Sequence, residues 1–194
     1  SAFTNVTEQE WEYYLKKRKQ QQFNTLQINI LPQWDRCWVP CELFPFKSKD
    51  GSKFDFEEGM IAEYFEHAKN MCEKAVDKGF QLALVVLWSN FVPNTWASNM
   101  ISDNIMPKKL IPEYCKMVSE TFDKFNPIYI ISGDTDLETK ETIEYYEIAL
   151  DELTKLSPNT LKTMHIKGRY TYLPQQLAEK LDFYMYQTGH NNQF

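Results

Sequence analysis

The chain has 194 residues, about the size of one domain, and its 43% hydrophobic and 25% charged residues are typical of a folded globular protein. Its net charge of −6 argues against a broad basic surface, and so against nucleic acid or an anionic membrane as partners. No apolar run is long enough for a membrane span, and residues 1–10 lack a signal-peptide apolar region, so we expect a single domain over residues 1–194 that does not enter membranes.

The first part of the chain predicts a helix, a strand and a long connection. Residues Thr7–Glu10 match a capping box, and apolar residues then recur at helical spacing to about Gln21. The basic run at 16–19 on this helix is interpreted as a solvated face. Residues 23–31 predict a strand, and residues 33–56 a connection. Long loops rich in aromatic residues are often functional.

The remaining elements alternate between amphipathic helices and short apolar strands. Helices are predicted over residues 58–78, 110–122, 138–156 and 174–181. Strands are predicted over residues 82–87, 127–132, 161–165 and 182–187. The first two of these strands are apolar without alternation, as expected for strands buried on both faces. Gly79 is placed to end the helix at 58–78.

This order of elements predicts an α/β fold, because helical connections require parallel neighbouring strands and right-handed crossovers. No glycine-rich phosphate-binding motif follows any strand, which argues against a nucleotide-binding doubly wound fold. Polar and aromatic residues accumulate at the strand ends instead: Trp34, Asp35, Trp88, Asn90, Asp134, His165, Gln187 and His190. Such a ring is typical of the top of a (β/α) barrel, where flat rings and carboxylates hold and cleave a sugar.

Asp134 stands where a buried strand passes directly into a helix, the edge that carries the site in parallel α/β folds. A structural explanation competes with catalysis, because an aspartate before a helix satisfies free N–H groups and the helix dipole. Thr135 and Asp136 are alternative caps for the same helix. With three cap-type residues in a row, one of them is free for chemistry.

The four cysteines predict no disulfide scaffold. Cys72 and Cys115 fall on apolar helix faces and are interpreted as buried thiols. Cys37 and Cys41 have no second pair of ligands at a suitable spacing, so we expect no metal and no cofactor. Reduced cysteines favour a cytoplasmic location.

Four stretches of the sequence resemble the apiosidase-like group of glycoside hydrolases (DUF4038), a (β/α)8 barrel family. The stretches are Glu10–Leu31, Tyr64–Trp88, Ile128–Asp134 and Asp182–His190. The family's GGD, FHP and QSGH motifs correspond to residues 132–134, 164–166 and 187–190, here SGD, MHI and QTGH. The resemblance covers nearly the whole chain and implies a TIM-barrel fold and a glycosidase activity.

The resemblance also implies roles for residues. It makes Asp134 the catalytic acid/base and places His165, Gln187 and His190 around the sugar. The second carboxylate of such barrels comes from a later strand, so we expect it outside this chain. The chain then corresponds to strands two to six of an incomplete eight-stranded barrel, shorter than the roughly 250 residues of that fold. Open strand edges invite pairing, so self-association is expected.

Three functions are consistent with the sequence. The preferred one is a glycoside hydrolase acting on a polysaccharide or oligosaccharide. The second is a non-catalytic carbohydrate-binding relative that keeps the aromatic cleft without the second carboxylate. The third is an unrelated barrel enzyme in which Asp134 is a proton-transfer base for a small carbonyl substrate. Asp35 and Asp136 remain alternatives for the second carboxylate, and their spacing favours neither.

Overall fold

A computed structural model describes residues 2–33, 43–48 and 53–188 of the chain. The N-terminal part contains helix α1 (Ala2–Asn5), helix α2 (Glu8–Gln20) and strand β1 (Thr25–Asn29). The capping box is confirmed, because the Thr7 side chain accepts from the Glu10 N–H while the Glu10 carboxylate accepts from the Thr7 N–H. Trp11 is buried and donates from Nε1 to the Met71 carbonyl, which fixes α2 against the following helix.

The connection predicted at 33–56 contains an antiparallel pair, strands β2 (Phe46–Ser48) and β3 (Phe54–Met60). Their aromatic side chains form a cluster in which the rings of Phe46 and Phe56 lie 4.8 Å apart. Helix α3 (Ala62–Asp77) therefore starts later than the sequence indicated, because β3 occupies residues 58–60. Gly79 takes a φ of +78° just beyond this helix, as its predicted role requires.

The rest of the fold alternates as predicted, apart from a short helix at Trp96–Met100 that the sequence did not predict. Its elements are strand β4 (Gln81–Trp88), short helix α4 (Trp96–Met100), helix α5 (Ile111–Phe122), strand β5 (Ile128–Gly133), helix α6 (Lys140–Leu156), strand β6 (Leu161–Thr163) and short helix α7 (Gln175–Ala178). Strands β1, β4, β5 and β6 pair in that order, all parallel. This α/β arrangement of a parallel sheet with helical crossovers confirms the predicted fold class.

The prediction of a fifth strand at 182–187 is wrong in its extent. Within the described residues this segment has one bridge to the sheet, between Met185 and His165. Side-chain contacts hold the rest of it beside β6, since Thr163 donates to the Phe183 carbonyl and Asp182 accepts from the Lys162 N–H. The segment therefore follows the course of a strand without a regular ladder.

The sheet is buried on both faces, as its apolar strands predicted. On one face Leu82, Leu84 and Val86 join a large core with helices α3, α5 and α6. On the other face Ala83, Val85 and Ile130 form a small separate cluster. This second face of β4 and β5 is the one that points to the inside of a barrel-type sheet.

The two described cysteines are free and buried, as predicted. Burial raises the pKa of the Cys72 thiol to about 12, so this thiol is inert near neutral pH. Cys37 and Cys41 lie outside the described residues. None of the helices in the described part of the chain is both long and apolar enough to cross a membrane. Location and self-association stay predictions.

Candidate functional site at the carboxyl ends of the strands

The carboxyl ends of β4, β5 and β6 bring three of the predicted site residues together. Gly133, at the end of β5, pairs in register with Trp88 at the end of β4. The indole lies so close that a Cβ built on Gly133 would be 2.1 Å from its Cε3 atom. The Trp88 ring in turn meets the His165 ring, with centroids 6.2 Å apart and an interplanar angle of 69°. Glycine before Asp134 thus lets the indole reach the site.

The backbone of Asp134 is held on both sides. Its φ of +47° is left-handed, a conformation that aspartate and asparagine adopt more readily than most residues. The Asp134 N–H donates to His165 Nδ1 at 3.3 Å, and its carbonyl accepts from Trp96 Nε1. Within the described residues its half-buried carboxylate has no hydrogen-bond or ion-pair partner. The fold therefore fixes the peptide and leaves the carboxylate available for chemistry.

Helix α6 is not capped by Asp134, Thr135 or Asp136. The N-cap is Thr139, whose side chain accepts from the Thr142 N–H at 3.1 Å. Thr135 donates to the Asp136 carbonyl, and the Asp136 carboxylate pairs with Lys167. The structural explanation for Asp134 is therefore wrong, because helix α6 has another cap.

His165 lies between Asp134 and Gln187. Its Nε2 atom is 2.8 Å from Gln187 Oε1, while Nδ1 accepts from the Asp134 N–H. Both contacts are satisfied by the tautomer that carries its proton on Nε2. Ser132 fixes the backbone beneath the ring by donating to the His165 carbonyl at 3.0 Å. The predicted grouping of Asp134, His165 and Gln187 is thus present.

Asn90 lies in the turn Ser89–Phe91 directly after β4, and its side chain is almost completely buried. Neither its Oδ1 nor its Nδ2 has a hydrogen-bond partner in the described part of the chain, and the same holds for Trp88 Nε1. Asn90 therefore does not hydrogen-bond to Asp134, His165 or Gln187. Buried unpaired polar atoms are costly, and these atoms have almost no accessible surface in the described structure.

Three other predicted site residues, Trp34, Asp35 and His190, lie outside the described residues. Asp136 is a poor choice for the second carboxylate, because Lys167 Nζ lies 2.9 Å from its Oδ2. Across the described ranges there is no group of three or more histidine, cysteine, aspartate or glutamate side chains that could hold a metal.

Sequence reasoning missed two residues that support the site. Trp96 is not among the residues that the sequence predicts for the site, yet its indole N–H donates to the Asp134 carbonyl. Lys167 was not singled out at all, because no sequence pattern links it to Asp136, 31 positions earlier. The first contact depends on the pairing of β4 with β5 and the second on the pairing of β5 with β6, and no local pattern encodes either pairing.

A cavity of about 660 Å³ lies elsewhere, beside β1, which is the outermost strand of the sheet among the described residues. Its lining includes Gln27 and Asn29 of β1 with Glu10 and Trp11 of α2, and no residue of the Asp134 group. Glu10 is committed to the capping box, and the hydrogen bond from the Thr7 backbone lowers the pKa of its carboxyl. The carboxylate of Glu10 is therefore not available for catalysis in this cavity, and the Asp134 group remains the candidate site.

Replacing Gly133 with alanine is expected to destabilise the protein by about 1–3 kcal/mol, because the added methyl group overlaps the Trp88 ring. Urea denaturation measures this cost in the wild type and in a Trp88→Ala background. In that background the indole is gone, so the same glycine substitution should cost less than about 0.5 kcal/mol. Equal costs in both backgrounds would contradict the assigned contact.

Comparison with known families gives one match that covers the whole chain. The sequence profile of the "Apiosidase-like, catalytic domain" family matches residues 1–194. No curated protein sequence matches the chain significantly.

Solved structures share the fold. A glycoside hydrolase family 5 protein from Bacteroides vulgatus superposes with a TM-score of 0.70 at 22% identity, over 97% of this chain and 38% of its own. An endoglucanase from Pseudomonas stutzeri gives 0.55 at 12% identity, over 94% and 52%. An endo-1,4-beta-D-mannanase from Thermotoga petrophila gives 0.54 at 13% identity, over 90% and 56%. The chain thus spans about two fifths to just over half of these neighbours, and the likeness is one of TIM-barrel fold.

Proposed function

The chain belongs to the apiosidase-like catalytic domain family, and on this premise we propose that it carries the acid/base half of a glycoside hydrolase site. The observation that carries the proposal is the Asp134 carboxylate, half-buried at the end of β5 and without a partner among the described residues. Its peptide is held by His165 and Trp96, so the carboxylate is presented from a fixed backbone. A fixed position is what proton transfer to a substrate atom requires.

In the proposed mechanism, Asp134 protonates the glycosidic oxygen as the bond to the anomeric carbon breaks. In a retaining enzyme the second carboxylate bonds to the anomeric carbon, and the Asp134 carboxylate then removes a proton from the water that displaces it. In an inverting enzyme water bonds to the anomeric carbon directly, and the second carboxylate removes the proton from that water. The stereochemical course follows the distance between the two carboxylates. We propose that the second carboxylate comes from outside this chain, with Asp35 as an alternative within it. Asp136 is not proposed for this role, because its Oδ2 atom pairs with Lys167 and its Oδ1 atom is buried.

The sugar is proposed to lie against the residues around Asp134. Trp88 supplies an indole beside His165, and aromatic faces suit the apolar face of a sugar ring. His165 and Gln187 present polar atoms on one side. Asn90 belongs to the proposed set through its place directly after β4, although its unpaired amide is buried. Trp34, Asp35 and His190 complete the proposed substrate-binding set. The neighbours' fold is used by endoglucanase and mannanase enzymes, so a polysaccharide or oligosaccharide is the proposed substrate class.

Hydrolysis of a panel of plant and microbial polysaccharides tests the proposal. The protein is produced with any sequence that flanks these 194 residues in its gene, and new reducing ends are measured over time. We expect release from at least one polysaccharide. Binding of a polysaccharide by affinity electrophoresis without any release would instead favour the carbohydrate-binding relative. If the protein neither binds nor hydrolyses any polysaccharide of the panel, the proposal is overturned.

A further inference from the structure

The segments that carry Asp134 and His165 are joined beyond the ends of their strands. Strand β5 ends at Gly133 and β6 at Thr163, yet Thr135 and Ile166 still form a parallel bridge. The Thr135 N–H donates to the His165 carbonyl at 3.4 Å, and the Lys167 N–H donates to the Thr135 carbonyl at 2.8 Å. The two loops therefore form one paired unit above the sheet.

An ion pair closes this unit on the side away from the strands. Lys167 Nζ lies 2.9 Å from Asp136 Oδ2, and the exposed fractions of the two side chains are 31% and 8%. The ammonium also lies 5.2 Å from the centre of the Tyr170 ring. Burial alone would lower the pKa of Lys167, but the hydrogen bond and charge of Asp136 raise the pKa above its ordinary value. Lys167 is therefore charged near neutral pH.

This ion pair is one of the contacts that hold the loop between Asp134 and helix α6, beside the side chain of Leu137, which is buried in the core. Residues 136–138 have no regular secondary structure before the Thr139 cap. Polar contacts connect these residues to the neighbouring loop. Lys167 pairs with Asp136 and lies 3.7 Å from the Glu138 carboxylate. The Leu137 N–H donates to the Tyr170 hydroxyl at 3.3 Å. Partly buried ion pairs contribute little net stability, but they can fix one arrangement over others.

We infer that Asp136 and Lys167 are positioning residues that set the place of Asp134 relative to His165. The inference rests on the proposed function, in which Asp134 is the acid/base. Neither residue touches the substrate in this reading. The ion pair acts through the backbone: it holds residues 134–136 against 165–167 and so maintains the contact between the Asp134 N–H and His165 Nδ1.

The test compares Lys167→Met with Lys167→Arg in the protein with its flanking sequence. A small displacement of a catalytic group lowers turnover by about 100-fold, so Lys167→Met should lower kcat by about that factor with little change in KM. Lys167→Arg keeps the charge and should retain most of kcat. Lys180→Met is the matched control. It removes an exposed lysine from an ion pair outside the site, in which Lys180 Nζ lies 2.7 Å from Asp151 Oδ1.

A second readout separates this inference from the proposed function. Hydrogen exchange of the Asp134 amide, followed by NMR, reports the contact to His165 whether or not the protein hydrolyses glycosides. We expect at least tenfold faster exchange in Lys167→Met and no change in Lys180→Met. Unchanged exchange and unchanged kcat in Lys167→Met would overturn the inference. If Lys167→Met does not fold, Asp136→Asn, which keeps the shape of the side chain, decides by the same readouts. If the wild type is inactive but the Asp134 amide exchanges faster in Lys167→Met, the proposed function is rejected and the positioning inference stands.

Discussion

Replacing Asp134 with asparagine is expected to lower kcat for polysaccharide hydrolysis by about 10²–10⁴-fold, the usual contribution of a general acid/base. Asparagine removes the proton donor but keeps the shape of the side chain. It also tolerates the left-handed backbone, with its φ of +47°, that residue 134 adopts. Alanine would add a conformational cost at this position and so confuse a loss of chemistry with a loss of structure.

Comparing substrates with different leaving groups tests the role of Asp134 more directly. An aryl glycoside with a good leaving group needs little protonation, so Asp134→Asn should slow its cleavage much less than that of a polysaccharide. Asp77→Asn, a substitution of an exposed aspartate on helix α3, is the matched control and should leave both rates unchanged. Equal losses on both kinds of substrate would remove Asp134 from the role of general acid, and no loss on either would remove it from the mechanism.

Replacing Asp123 with alanine is expected to reduce the free energy of unfolding by about 3 kcal/mol, a large effect for one side chain. The Asp123 carboxylate accepts hydrogen bonds from Tyr129 Oη at 2.7 Å, Ser119 Oγ at 2.8 Å and Ser157 Oγ at 2.7 Å. All three hydroxyl-bearing residues are buried. The carboxylate thus ties the end of helix α5 to the start of β5 and the end of α6, and alanine leaves three donors unsatisfied.

Urea denaturation followed by circular dichroism measures this loss. Asp123→Asn keeps one acceptor oxygen and should cost less, about 1–2 kcal/mol, because a neutral acceptor forms weaker hydrogen bonds. Asp151→Ala, at an exposed ion pair with Lys180, is the control and should change stability by less than about 1 kcal/mol. A cost for Asp123→Ala no larger than that of the control would show that these hydrogen bonds do not stabilise the fold.

The sequence predicted most elements correctly where their signal is local. The capping box at Thr7, the helical period of α3, α5 and α6, and the apolar runs of β4 and β5 each arise from residues within a few positions of one another. The hairpin of β2 and β3 was missed for the opposite reason. The hairpin packs in an aromatic cluster that includes Phe91, whose ring stacks on that of Phe54 with centroids 6.3 Å apart. No local sequence pattern predicts that contact.

By itself the sequence determined the alternation of helices and strands, the family motifs and the placement of Asp134 and His165 directly after β5 and β6, because these follow from hydrophobic period and short motifs. Only the tertiary structure decided that Thr139 caps helix α6, that Trp88 packs on Gly133, and that Asp136 is engaged by Lys167. Except for the cap, these are contacts between residues 31 or 45 positions apart. They exist only once the parallel strands are paired in register, which brings distant side chains to one edge of the sheet.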